Sequence, residues 1–127
     1  MKLKTKKIIG VSTFFCGIIA VTNFVFAASF NSTYDMTGGL FTRTFSPTSS
    51  KPIVTVQTWP DVGVYGQSMS VYLQKKNTFG YDDVSSGSLD STVYDETSLK
   101  GNSKGTYRIY IRNWTGKKMS GDIRISY

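Results

Sequence analysis

The chain holds no histidine, and its only cysteine among 127 residues is Cys16. The missing imidazole removes the usual general base, together with the Ser-His and Cys-His arrangements of nucleophilic enzymes. One thiol cannot close an intrachain disulfide. Without Cys and His clusters, zinc, copper and haem have no customary ligands to draw on. Proline is scarce too, at three residues. No stretch carries apolar residues at the helical period, which leaves strands as the building element.

What is present begins with a leader. Lys2, Lys4, Lys6 and Lys7 precede an uncharged apolar run from Ile8 to Val21. Val25-Phe26-Ala27 then places small or modest side chains at the −3 and −1 positions of a cleavage site. Residues 1–27 read as a secretory signal peptide, and 28–127 as one exported, extracellular domain. A retained anchor is the alternative, since residues 8–28 are long enough to span a bilayer, but Thr22 and Asn23 interrupt the apolar run. Cys16 lies mid-run behind Thr13-Phe14-Phe15, which is not the setting of a lipidated cysteine. Cleavage removes Cys16 and four lysines, leaving eleven Lys and Arg against eight Asp and Glu, a net of +3. That is ordinary solubility charge, and no nucleic-acid partner is expected from it. A cysteine-free body of about 100 residues can fold without staples. With its short lysine-rich leader it resembles exported proteins of Gram-positive bacteria.

Period-two alternation runs through the rest. Phe30, Ser32, Tyr34 and Met36 share one face of a first strand. Thr37-Gly38-Gly39 turns into a second strand, Leu40 to Phe45, with Phe41 and Phe45 on one side. Two prolines and three serines make Ser46 to Pro52 a loop. Ile53 to Trp59 is a β-branched strand that Pro60 should stop, followed by a connection over Asp61 to Gly66. Ser68 to Lys76 alternates with Met69, Val71 and Leu73 on the apolar side. Asn77 to Gly105 reads as a long acidic loop, broken only by a brief edge strand at Ser91 to Tyr94. At the end, Tyr107, Ile109 and Ile111, then Ile123, Ile125 and Tyr127, predict a β-hairpin with one apolar and one wet face. The expected fold is all-β: a small antiparallel β-sandwich, jelly-roll-like, of about six to eight strands. The segments Gly105-Thr106-Tyr107-Arg108-Ile109-Tyr110-Ile111-Arg112-Asn113 and Ser120-Gly121-Asp122-Ile123-Arg124-Ile125-Ser126-Tyr127 resemble the close of many bacterial jelly-roll modules. That resemblance implies a fold and transfers no activity.

Chemistry has few candidates. Ser103-Lys104 is a sequence neighbour pair in a polar loop, not a positioned dyad. Asp82, Asp83, Asp90, Asp95 and Glu96 could in principle hydrolyse a glycoside, but raising one carboxyl pKa needs an apolar pocket that this segment does not offer. Calcium suits the same oxygen ligands better, although their spacing matches no calcium loop. No cofactor is expected. Asn31-Ser32-Thr33 and Asn113-Trp114-Thr115 match the glycosylation pattern, which in a bacterial protein would be accidental.

Charge is more informative. From Lys100 onward seven cations face Asp122 alone, whereas residues 28–99 carry four cations against seven acids. Alternation puts Arg108, Tyr110, Arg112 and Trp114 on one strand face, with Arg124 beside them if the last two strands form a simple hairpin. Arginines among exposed aromatics can stack sugar rings and attract anions. The plainer reading is the wet face of an amphipathic sheet. The expectation is a secreted, non-enzymatic binding module that meets cell-wall polymer, polysaccharide or another anionic surface through Arg108, Tyr110, Arg112, Trp114 and Arg124. A secreted antimicrobial, toxin or inhibitor is the alternative, and a carboxylate hydrolase the third.

Overall fold

The computed structural model describes residues 28–127, so the expected signal peptide over residues 1–27 and its expected cleavage site lie outside the described residues. Within them the chain forms eight strands and no helix: β1 (Ser29–Met36), β2 (Gly39–Phe41), β3 (Ile53–Val62), β4 (Ser68–Lys76), β5 (Tyr81–Asp90), β6 (Asp95–Lys100), β7 (Tyr107–Arg112) and β8 (Met119–Ser126). They pair antiparallel in two four-stranded sheets, β1-β8-β3-β6 and β2-β7-β4-β5. The first is sheet A below, the second sheet B. Both contribute inward side chains to one core, the arrangement of a β-sandwich.

Alternation accounts for that core. Ile109 and Ile111 of β7, Met69, Val71 and Leu73 of β4, Val54 and Val56 of β3, and Ile123 and Ile125 of β8 are sealed from solvent. Each such side chain contributes about 2 kcal/mol through the apolar surface it removes from water. Phe45 and Tyr127 stack at 4.7 Å at one end, with Phe30 close by. The hydroxyl of buried Tyr107 donates to the Ser103 carbonyl at the rim.

Four expectations are corrected. The last two strands make no hairpin: β7 pairs with β2 and β4, β8 with β1 and β3. Two amphipathic strands with the same pattern can face one core from opposite sides as well as lie side by side, so periodicity alone does not choose. The supposed acidic loop is mostly strand. β5 pairs with β4 along its whole length, and β6 pairs with β3. Ser91 to Tyr94 is instead the link between them. β5 carries little alternation because its inward paired positions are Ser85, Gly87 and Leu89, and its other apolar core contact, Val84, falls at the register shift and out of phase with them. Pro60 does not stop β3. Pairing with β6 ends at Thr58, so β3 beyond it has one free side, where a residue lacking N–H is tolerated. Finally, Phe41 and Phe45 diverge: β2 ends at Phe41, which is exposed, while Phe45 is buried and reaches β7 through an isolated bridge at Tyr107.

Tyr34 is the oddity of the core. Its ring is 2% exposed and its hydroxyl has no hydrogen-bond partner. Burial, then the Asp61 and Asp122 carboxylates, hold its pKa above the ordinary phenol range. At Tyr94 burial and the bond to Glu96 push the value up to about 12. Unfolded tyrosines ionise near pH 10. The stabilisation from keeping these phenols neutral is therefore complete below pH 10 and is lost as pH climbs beyond it. Tyr34→Phe removes the unpaired hydroxyl. It is expected to raise stability by about 1 kcal/mol at pH 7 and to flatten the alkaline decline, both read from urea melts at pH 7 and above pH 10.

Candidate binding face

Outward positions of sheet B come together in register. Tyr110 on β7 lies opposite Phe41 on β2 and Tyr72 on β4. The three rings form a cross-strand row, with centroids 4.7 Å apart for Phe41 and Tyr110 and 5.8 Å for Tyr72 and Tyr110, both stacked. Gly39 makes this possible, because any Cβ there would press into the Tyr110 hydroxyl and ring. The ring thus lies flat on β2.

Two guanidiniums flank the row. Arg108 is held between aromatic faces, 3.9 Å from the Phe41 centroid and 3.6 Å from that of Tyr81. Its Nε donates to Gln74 Oε1 at 2.8 Å, and Gln74 in turn donates to Asp83 at 2.8 Å. Arg112 lies 4.5 Å from the Trp114 ring and reaches the Tyr110 hydroxyl at 3.4 Å. Its Nε is buried with no acceptor. Neither arginine has a carboxylate within ion-pair distance; among the described residues the one salt bridge is Lys118 to Asp35. Arg108 and Arg112 are four residues apart on one strand, so their Cα atoms are separated by about 13 Å.

Trp114 is 65% exposed, yet it is anchored: its indole N–H donates to Ser70 Oγ at 3.1 Å. The preceding Asn113 is buried. Its amide donates to the Met36 and Lys117 carbonyls, and its carbonyl oxygen accepts from Thr115 N–H and hydroxyl. Asn113 is thus the frame of the β7–β8 connection.

The structure therefore gathers Arg108, Tyr110, Arg112 and Trp114 as expected, but not Arg124. That residue sits on the outer face of sheet A, opposite Asn31 and Gln57, with its guanidinium on Ser29 Oγ at 3.1 Å. The error follows from the hairpin assumption. It also divides the basic C-terminal segment between two faces. Phe41, Tyr72 and Tyr81 were missed. Tyr72 was legible, since alternation already put it on the wet side of its strand; Phe41 and Tyr81 needed the sheet order.

The carboxylates are dispersed over two strands, Asp82, Asp83 and Asp90 on β5 and Asp95 and Glu96 on β6. Asp90 accepts from Thr92 N–H and hydroxyl and from Val93 N–H, and these bonds hold its pKa below the ordinary value. Asp95 accepts from the Asp90 and Glu96 amides. Among the described residues no three His, Cys, Asp or Glu side chains converge to hold a metal ion. Ser103 bonds to Lys75 at 2.6 Å, not to its neighbour Lys104.

No protein-family model matches the chain, and no curated protein matches its sequence.

Proposed function

We propose that the protein is a non-enzymatic binding module, exported by its leader, whose sheet B face engages an acidic polysaccharide or similar anionic polymer of a cell envelope. We read its strand order as a jelly roll, two Greek keys that present two broad outer faces. The observation carrying the proposal is the pair of unneutralised guanidiniums set among five aromatic rings. Guanidinium N–H groups that meet no carboxylate in the protein can donate charge-assisted hydrogen bonds to a carboxylate, sulfate or phosphate oxygen, worth about 1.5–3 kcal/mol each. Stacked rings beside the cations supply apolar area for the faces of sugar rings. An outer sheet face suits an extended polymer more than an enclosed small molecule, which takes a concave pocket.

Calorimetric titration of the purified protein with alginate, against neutral dextran as reference, tests this. Binding to alginate alone is expected, weakening steeply as sodium chloride rises from about 50 to 500 mM, because screening shortens the reach of exposed charges. Equal heats for both polymers, or none for alginate, would refute the assignment.

A further inference from the structure

We propose a second binding site, on the opposite sheet, that takes the ring of a neutral pyranose sugar on Trp59 and Tyr94. It does not depend on the reading of sheet B. Trp59 on β3 and Tyr94 just before β6 are 43% and 46% exposed, with ring centroids 5.3 Å apart and planes inclined at 47°. Two large rings set at an angle on an outer face form an open wedge. Nothing in the core requires them there.

Polar atoms border the wedge in register. Glu96, Gln57 and Arg124 lie side by side on β6, β3 and β8, a row about 10 Å wide at ordinary strand spacing. Asp122 stands directly across from Trp59. The row is pre-organised on one side: Gln57 Nε2 donates to the Tyr94 hydroxyl at 3.0 Å, which donates to Glu96 Oε1 at 2.6 Å. The Tyr94 hydroxyl stays protonated throughout the neutral range, so the direction of this relay does not change. Gln57 Oε1, the second Glu96 oxygen and the Asp122 carboxylate have no partners among the described side chains and face the same side of the sheet as the indole.

That combination selects the ligand class. A pyranose presents C–H groups on its faces, suited to aromatic rings, and hydroxyls around its edge that both donate and accept. The border offers acceptors at Gln57, Glu96 and Asp122 and donors at Gln57 and Arg124. Two carboxylates against one guanidinium disfavour the anionic polymer assigned to sheet B. The two faces therefore differ in chemistry: cations with rings on one, carboxylates and an amide with rings on the other.

The chain has two tryptophans, so the Trp114→Phe variant reports on Trp59 alone. Its emission is followed during titration with cellohexaose, maltohexaose, laminarihexaose and chitohexaose, with calorimetry in parallel. At least one oligosaccharide is expected to give a saturable blue shift. In calorimetry Trp59→Ala is expected to weaken that binding about 30-fold, as removal of an aromatic hot spot does. Tyr94→Phe keeps the ring but breaks the relay and is expected to show a smaller loss. Neither substitution touches the core, and an unchanged melting temperature for each confirms folding. Alginate binding must survive Trp59→Ala, which separates this site from sheet B. No saturable response to any of the four sugars, undiminished binding by Trp59→Ala, or a stronger response of Trp59 to alginate than to all four would overturn the proposal.

Discussion

The Arg108→Glu/Arg112→Glu double variant is expected to lose roughly 100-fold in affinity for alginate, whereas Arg124→Glu loses almost nothing. A charge-assisted hydrogen bond from a guanidinium to an anionic oxygen of the polymer contributes about 1.5 kcal/mol at the low end of its range. Removing two such bonds costs about 3 kcal/mol, and each tenfold step in affinity corresponds to about 1.4 kcal/mol. Reversing the sign adds repulsion, so 100-fold is the lower end. Arg124 carries the same charge on the same final segment, but it lies on sheet A. A binding mechanism governed only by net charge would make all three arginines equivalent. One governed by the sheet B face would not. Arg108→Glu also forfeits two ring contacts and the Gln74 bond, so its melting curve is recorded alongside. The affinity loss in the folded variant is the quantity that counts.

That contrast marks where sequence reading succeeded and where it ran out. Period-two alternation identifies a strand and its apolar side from neighbours along the chain, and it placed Ile109, Ile111, Met69, Val71, Leu73, Ile123 and Ile125 inward, as found. The same local signal put Arg108, Tyr110 and Arg112 together, since they share a strand. It says nothing of which strand lies next to which. That is decided by long-range packing, and both wrong expectations about the face came from it: Arg124 was brought in by a hairpin that does not exist, and Phe41 was left out because its strand stops before Phe45. β5 failed for another reason. Its pairing rests on backbone hydrogen bonds to β4 and on small inward residues, so its side chains carry little apolar signal. The Trp59–Tyr94 pair was beyond reach as well, because Pro60 was read as a terminator and Tyr94 as a piece of edge strand.

Gly121→Ala is expected to cost about 3 kcal/mol, at the top of the range for overpacking. That corresponds to a fall of more than about 10 °C in melting temperature for a domain of this size. Gly121 sits on β8 between Tyr34 of β1 and Pro60 of β3. A Cβ there would overlap the Trp59 carbonyl oxygen and lie 2.8 Å from both Pro60 Cα and the Tyr34 hydroxyl. The first two are backbone atoms of a paired strand beside the Pro60/Val62 irregularity in register, so they cannot swing aside as a flexible side chain would. Relief requires β3 and β8 to separate, and β8 is the strand that joins β1 to the rest of sheet A. Gly38→Ala is the control, since nothing lies within 4 Å of a Cβ at that position, and its melting temperature should stay close to that of the parent. The Tyr34→Phe background adds a second check. Removing the hydroxyl clears one of the three contacts, so Gly121→Ala should cost less there than in the parent, though still most of its full amount because the backbone overlaps persist. Full rescue by Tyr34→Phe would mean that the hydroxyl, and not the β3 backbone, sets the limit. A Gly121→Ala protein that melts with the parent would show that β8 can move away from β3 without loss, against the packing described for sheet A.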